Sequence, residues 1–420
     1  MHPIQAPASG RSGRHLVPAM ICITAAAAFL VGGYEFARST VASLFIAAYG
    51  SGPIPYAMTL VPVLMAALIY AYGVVLTRLG SRWTLQVSLL SAAVAFFVAY
   101  LAMRGGRKLA VAALYVFTEA YIVILVEQFW SFINSTLDQS NAKAFNGPIL
   151  GGAAVGPILA GLFLRHFAQR MGSEQFVLLA GISLLPAAAL SYAAYRLAGD
   201  PQPSVSDRCG DAGPLRLRLI LNTKVLWLIA GVVALSQFFA AATNLRLYEL
   251  LEASIPQKDA RSAYLGTFWA SVNGVAFLMQ FVVTPLALRR LSLRWILVSM
   301  PLLHAVMALF MLSSPALSVA AAALLIFKGL DYSIFRASKE LLYIPLSYDA
   351  RYRAKQVVDA FNYRFSKGAA AGLISLAKWG LGVLPGWTYP ALSLAAAGAW
   401  VMAAVPLARA AQGESSGHVE

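Results

Sequence analysis

The sequence predicts an all-α membrane protein of about twelve transmembrane helices, and three observations carry that prediction. Hydrophobic residues make up 60% of the 420 residues and charged residues only 12%, whereas charged residues approach a quarter of an ordinary soluble domain. The apolar stretches are long, as expected of helices that need about 20 apolar residues to cross a bilayer. They are also unbroken, which excludes the alternating strands of a membrane barrel.

The predicted spans fall into two sets of six. Residues 198–223 separate the sets, because this stretch is rich in Pro, Gly, Ser and charge. We therefore expect an N-terminal six-helix half over 1–197, a cytoplasmic central linker over 198–223 and a C-terminal six-helix half over 224–420. The first span is expected to be retained, since its apolar run is too long for a cleavable signal. The spans are 17–38, 53–76, 84–103, 109–134, 146–165, 176–197, 225–249, 264–288, 294–312, 317–336, 358–382 and 387–408.

The excess of basic residues indicates orientation. The chain has 32 Lys and Arg against 17 Asp and Glu, and most of the basic residues lie in short loops on one side of the predicted spans. The positive-inside rule then places both termini in the cytoplasm, and we expect a bacterial inner membrane. The loop Arg104 to Lys108 is the exception. Basic residues scattered in this way do not form a nucleic-acid surface, so no nucleic-acid partner is expected.

A short motif occurs at the same place in each half. Arg78-Leu79-x-x-Arg82-Trp83 follows span 2, and Arg290-Leu291-x-x-Arg294-Trp295 follows span 8. The first copy, with Thr77 at the usual acidic position, resembles the loop signature of the major facilitator superfamily, whose two halves are related by an internal repeat. The alternative is that these arginines only anchor helix ends. The motif residues are Gly73, Arg78, Gly80, Arg82, Arg289, Arg290 and Arg294.

Ionisable residues inside the predicted spans are candidates for function, because each costs several kcal/mol in hydrocarbon unless it is paired or faces water. Most lie in spans 1, 4, 7 and 10, the first helix of each three-helix repeat. Glu119 and Glu127 share a helix face without a local basic partner, which favours a proton site or an inter-helix salt bridge. Other charges form i, i+3 pairs that could instead stiffen helix ends. These pairs are Glu35 with Arg38, Arg246 with Glu249, and Lys328 with Asp331.

Small and aromatic residues are expected to serve packing first. The stretch from Gly147 to Gly161 repeats G-x-x-x-G spacings, which let helix backbones approach closely. Trp130, Trp269 and Tyr332 could stack on a base, but positions at the membrane interface or in the packing are the simpler interpretation.

The segment joining spans 10 and 11 is more patterned than a membrane anchor requires. It reads Lys339-Glu340-x-x-Tyr343-Ile344-Pro345-Leu346, then Lys355-x-x-x-Asp359, then Lys367 followed by small residues. With this segment the chain resembles the ATP/ADP translocases of plastids and intracellular bacteria and their wider bacterial relatives, within the major facilitator superfamily. Weaker matches are Tyr34-x-x-x-Arg38, Phe129-Trp130 and Ala142-Lys143.

The resemblance implies nucleotide exchange by alternating access without hydrolysis, with basic residues holding the phosphates. The translocases that exchange ATP for ADP carry a Lys-Asp pair just after the arginine of span 1, where this chain has Val41 and Ala42. The identity of the substrate therefore stays open. The candidate substrate-binding residues are Arg38, Glu119, Glu127, Arg246, Lys328, Asp331, Arg336, Lys339, Glu340, Lys355, Asp359, Arg364 and Lys367.

The sequence leaves four functional classes to compare. The first is a carrier of nucleotides or related phosphorylated anions, and the second a proton-coupled carrier of another solute that uses Glu35, Glu119, Glu127 and Asp331. The third is a sensor or assembly partner, which the short loops disfavour. The fourth is an enzyme, which is not expected because no phosphate-binding loop, metal-ligand spacing or catalytic-triad context is present. We expect no cofactor and no metal. The protein is expected to be a monomer in the bilayer, and protons are a partner only if transport is proton-coupled.

Overall fold

A computed structural model describes residues 15–137, 139–199, 223–343 and 363–416, and these ranges contain helices and no strand. Short connections join most consecutive helices. In chain order they are α1 Leu16–Tyr49, α2 Ile54–Arg104, α3 Lys108–Thr136, α4 Gln139–Met171, α5 Ser173–Ala198, α6 Lys224–Ser254, α7 Lys258–Arg290, α8 Leu293–Ser313, α9 Leu317–Tyr343, α10 Tyr363–Leu381 and α11 Thr388–Ser416.

Helix α2 contains two crossings. Its 51 residues would reach about 76 Å as one straight helix, more than twice the hydrocarbon thickness. Gly80 interrupts it with φ 73° and ψ 170°, a conformation that glycine adopts readily and other residues avoid. The break separates 54–79 from 81–104, as the predicted spans 53–76 and 84–103 require.

The fold class predicted from the sequence is confirmed. Ten helices in the described ranges are long and apolar enough to cross a membrane, and α2 supplies two crossings. Helix α10 has 19 residues and carries Arg364, Lys367 and Lys378, which lower its mean hydropathy. The arrangement is consistent with twelve crossings, and the chain is an integral membrane protein.

The predicted end of the first span is wrong. The span was expected to stop at residue 38, but α1 continues to Tyr49 and ends where Gly50 takes a positive φ. The charged pair at residues 35 and 38 suggested a helix end, whereas the next helix-breaking residues come only after Tyr49. The hydroxyl of Thr40 donates to the carbonyl of Phe36 at 2.6 Å, so the polar residues here are satisfied within the helix. Glu35 and Arg38 therefore lie in the interior of α1.

The helices pack as two groups. In the N-terminal group, α1 packs against α3, α4 and α5, and α2 packs against α3 and α5. In the C-terminal group, α6 packs against α9, α10 and α11, α8 packs against α9 and α11, and α7 packs against α9. Contacts between the groups are made by α4 with α7, α1 with α7, and α2 with α10. The predicted linker lies almost wholly outside the described residues, so the boundary between two halves stays a prediction.

Glycines let α4 contact helices of both groups at close range. A Cβ on Gly32 of α1 would lie 3.2 Å from the carbonyl oxygen of Gly156, and one on Gly266 of α7 would lie 2.9 Å from that of Gly161. Real Cβ atoms essentially never approach an atom under 3.0 Å. The close packing predicted from the G-x-x-x-G spacings is therefore confirmed, and the α4–α7 crossing joins the two groups.

This crossing gives a stability test with opposite signs at two glycines of α7. Gly266→Ala should destabilise the protein by about 1–3 kcal/mol through overpacking. Gly274→Ala should be neutral or stabilise it by up to about 1 kcal/mol, because a Cβ there meets nothing within 4 Å and alanine favours the helix. Thermal unfolding in detergent measures both variants. Equal melting temperatures for the two would contradict the assigned crossing.

Candidate functional site between the helix groups

Among the described residues, Glu35 is the most deeply buried of the ionisable residues predicted to lie inside the spans. Its side chain is 0% exposed, and one carboxylate oxygen accepts from the Arg38 guanidinium, whose Nε lies at 3.1 Å. Ser39 donates to the other oxygen at 2.9 Å. Asn273 on α7 donates from the C-terminal group at 3.3 Å, so this carboxylate links the two groups. Asn273 was missed in the sequence, where a single amide in an apolar span was the only signal.

Arg38 is held by aromatic rings as well as by Glu35. Its guanidinium carbon lies 3.8 Å from the ring centroid of Trp269 on α7 and 5.2 Å from that of Tyr34, within cation–π range. The guanidinium covers the indole of Trp269, which in this structure supports packing rather than an open stacking surface. Arg38 thus keeps a fixed position between α1 and α7.

Glu119 and Lys367 form an ion pair across the groups. The Lys367 ammonium on α10 donates to the Glu119 carboxylate on α3 at 2.8 Å, which confirms the inter-helix salt bridge predicted for Glu119. The side chains are 23% and 18% exposed, more than those of Glu35 and Arg38. Met58, Val61 and Gly368 complete the lining of the pocket around the pair.

A third pair lies on α9. The Lys328 ammonium is 3.9 Å from the Asp331 carboxylate, and both side chains are mostly buried. The ammonium also lies 5.2 Å from the ring centroid of Tyr332. Further along the same helix, Arg336 interacts electrostatically with Glu127 of α3. Glu127 is exposed and lies two turns from Glu119 on α3. This interaction therefore also links α3 with α9.

Other predicted residues lie away from this centre. Arg246 donates to Glu249 at 2.5 Å near the end of α6, the local helix-end pair that the sequence left open. The Lys339 ammonium lies 5.6 Å from the Phe335 ring centroid, and Glu340 is exposed near the end of α9. Lys355 and Asp359 lie outside the described residues. Arg364 lies on α10, but its side chain is not among those described. The motif arginines with exposed side chains at helix ends are Arg78, Arg289, Arg290 and Arg294.

The central charges balance in the described part of the chain. Each of the three cations at the centre has a carboxylate beside it, and none of the three pairs is widely exposed. Pairing of this kind removes the large cost of an isolated charge away from water. An anion that enters the centre must therefore meet a cation that already has a carboxylate. The pairs are Arg38 with Glu35, Lys328 with Asp331, and Lys367 with Glu119.

Hydrogen bonds between the groups also close one end of the bundle, which we call the Gly50 end. Ser173, the first residue of α5, donates its backbone N–H and its hydroxyl to Asp259 of α7 at 2.7 and 2.6 Å. Ser51 donates its N–H and hydroxyl to Glu252 of α6 at 2.8 and 2.5 Å. The first N–H groups of a helix lack partners within it and favour an anion, so Asp259 caps a helix of the opposite group.

Two lysines of the C-terminal group extend this closure. The Lys258 ammonium donates to both oxygens of Glu174 at 2.7 Å. Lys378 of α10 donates to the carbonyl of Gly52 at 2.9 Å. Sequence analysis missed these contacts because Lys258, Glu174 and Gly52 lie in predicted loops, whereas Lys378 lies near the end of the predicted span 358–382. The cluster of Glu252, Lys258 and Asp259 between two spans was the available signal.

Comparison with known proteins supports the sequence-level resemblance. The family model described as "TLC ATP/ADP transporter" matches residues 272–377, a segment that contains Asn273, Lys328, Asp331 and Lys367. "ADP,ATP carrier protein 3" of Rickettsia felis is 26% identical over 329 residues, which cover 64% of this chain and 63% of that protein. The matched region is thus less than two thirds of the relative's length. The chain is similar to the ATP/ADP translocase family, as the sequence indicated.

Solved structures identify the fold. The D323A mutant of nucleoside transporter NupG superposes with a TM-score of 0.64 at 15% identity, over 94% of this chain and 99% of that one. A bacterial homologue of the iron transporter ferroportin in an inward-facing state gives 0.66 at 16% identity, over 95% and 100%. The fold is that of the major facilitator superfamily.

The Gly50-end closure makes a testable prediction. Asp259→Ala removes two hydrogen bonds to a charged acceptor, each worth about 1.5–3 kcal/mol, and should populate a form opened at that end. Spin labels at residues 171 and 253, both exposed at the Gly50 end on opposite groups, report the separation by pulsed dipolar spectroscopy after Cys22→Ser and Cys209→Ser.

We expect longer label separations in Asp259→Ala. The control is Lys224→Ala, an exposed position at the opposite end of α6, which should leave the distances unchanged. Identical distance distributions for Asp259→Ala and the control would show that Asp259 does not hold this end closed.

Proposed function

We propose that this chain is a secondary transporter that carries a nucleotide or a related phosphorylated anion across a bacterial inner membrane by alternating access. The observation that carries the proposal is the Lys367–Glu119 pair, which joins the two helix groups inside the bundle. Lys367 also lies within the segment that matches an ATP/ADP transporter family. The transport involves no bond cleavage, so the chain needs no enzymatic step and no cofactor.

The geometry supports a central site with one closed side. Hydrogen bonds between the groups join them at the Gly50 end, so we propose that substrate enters from the Leu16 end of the bundle. By the positive-inside rule this end faces the cytoplasm, with both termini inside. Alternating access would break the Gly50-end contacts and bring the opposite ends of the groups together around the same central charges.

The central cations suit phosphate oxygens in different ways. Arg38 presents a planar guanidinium for paired hydrogen bonds, and Lys367 presents a compact ammonium. Lys328 lies further along the interface on α9. We propose that these three residues hold the anionic group, and that the basic residues of the α9–α10 connection, Lys339, Lys355 and Arg364, attract it from the cytoplasm. We propose that the transporter works as a monomer.

Uptake into proteoliposomes tests the proposal. Vesicles preloaded with ADP should take up labelled ATP or ADP, and Lys367→Gln should lower the initial rate about 10- to 100-fold, which corresponds to the loss of about 1.5–3 kcal/mol at a charged hydrogen bond. Lys108→Gln is the matched control, since Lys108 is exposed at the start of α3 and the charge change is the same. Normal uptake by Lys367→Gln would remove this lysine from the site.

A proton-coupled carrier of another solute is the second candidate, favoured by one observation. Glu35 is fully buried, yet it links the groups through Asn273, so a change in its charge would alter their contact. In vesicles without internal nucleotide, this candidate predicts solute accumulation driven by a pH gradient and abolished in Glu35→Gln. Anion exchange predicts no accumulation in those vesicles, with or without the gradient.

A further inference from the structure

We propose that Glu119 occupies the place of the substrate's anionic group in the empty protein, so that a phosphate must displace this carboxylate from Lys367 in order to bind. The inference rests on the proposed function and assigns Glu119 a role in it. Glu119 is then a competitor of the substrate rather than one of its ligands. The pair opens when substrate arrives and closes when substrate leaves.

Lys367 is the central cation from which a carboxylate is most easily displaced. The Glu35 carboxylate beside Arg38 is fully buried. The Lys328–Asp331 pair is confined to one helix and is mostly buried. By contrast, Glu119 reaches Lys367 from a different helix group, and both side chains are partly exposed in a pocket.

The chemistry of the two anions supports competition. A carboxylate and a phosphate both accept charge-assisted hydrogen bonds from an ammonium. Among the described residues, the pocket around Lys367 is also lined by Met58, Val61 and Gly368, which carry no side-chain donor. A phosphate with higher charge than a carboxylate can replace Glu119, which then turns toward the water that entered with the substrate. The lysine is thereby never left as an unpaired charge between the helix groups.

The exchange has a functional consequence. In the empty protein the Glu119–Lys367 bridge ties α3 to α10 and hence one group to the other. Bound phosphate removes this tie and frees the groups to move relative to each other. Movement would then depend on bound substrate, which is the condition for exchange of one anion for another rather than leakage of a single one.

Binding to four proteins tests the inference: the wild type, Glu119→Gln, Lys367→Gln and the double variant. The ligands are ADP, ATP and pyrophosphate, measured by isothermal titration calorimetry in detergent. Removal of a competing charged acceptor should tighten binding to Glu119→Gln by roughly tenfold. Lys367→Gln should bind at least about tenfold more weakly than wild type, and adding Glu119→Gln to it should change the Kd little, because Glu119 acts through Lys367.

A purely structural salt bridge predicts the opposite result for Glu119→Gln. Loss of such a bridge would lower the melting temperature and leave the Kd unchanged or weaker, and either Kd result would overturn the inference while the proposed function stands. If none of the four proteins binds any of the three ligands, the proposed function fails and the inference fails with it. Binding by Glu119→Gln alone would support both.

Glu119→Asp gives a second measurement that does not depend on the folding of Glu119→Gln. The aspartate keeps the charge but is one methylene shorter, so it competes less well for Lys367. We expect a Kd between those of the wild type and Glu119→Gln. A Kd for Glu119→Asp weaker than wild type, in protein of normal melting temperature, would identify Glu119 as a substrate ligand and contradict its role as competitor.

Discussion

The structure depends on one constraint: a charge held between helices away from water needs an opposite charge or several hydrogen bonds beside it. At the centre, Glu35, Glu119 and Asp331 each lie next to a cation. Two of these carboxylates, Glu35 and Glu119, accept a hydrogen bond from the opposite helix group. These two charged sites therefore also join the groups, so under the proposed function binding and group movement would involve the same atoms.

Depth distinguishes the two kinds of contact between the groups. The Gly50-end contacts use helix termini and backbone N–H groups, where water can replace a lost partner. The central contacts lie deeper, where a lost partner leaves a charge exposed to a low dielectric. The end contacts can therefore break and re-form at moderate cost. The central ones need a replacement charge, which the proposed anionic substrate would supply.

Much of the fold followed from the sequence, because hydrocarbon imposes length and apolarity on each crossing. The predicted spans match the described helices in order, although α1, α4, α7, α9 and α11 each extend at least six residues beyond a predicted bound. The largest difference is at the end of α1, where a buried ion pair was read as a boundary. The Glu119 salt bridge was predictable, since a carboxylate without a local partner needs a distant one. The roles of Asn273 and Asp259 were not predictable. An amide in an apolar span and an acid in a loop have a recognisable role only once the helix packed against them is known. Position in the bundle, not residue type, decided their roles.

Two helices of the C-terminal group carry a wider turn at neighbouring places. Met279–Val283 in α7 and Asp331–Phe335 in α9 are π-helical, and the two turns pack against each other. A π-turn holds one more residue than an α-turn. The residues after the turn are therefore shifted around the helix axis, as they would be after the insertion of one residue. Lys328 and Arg336 lie on opposite sides of such a turn. Any alignment that carries residues from a relative to this chain must treat the two sides as separate blocks, because a single ungapped alignment through α9 can pair one of these cations with the wrong neighbour.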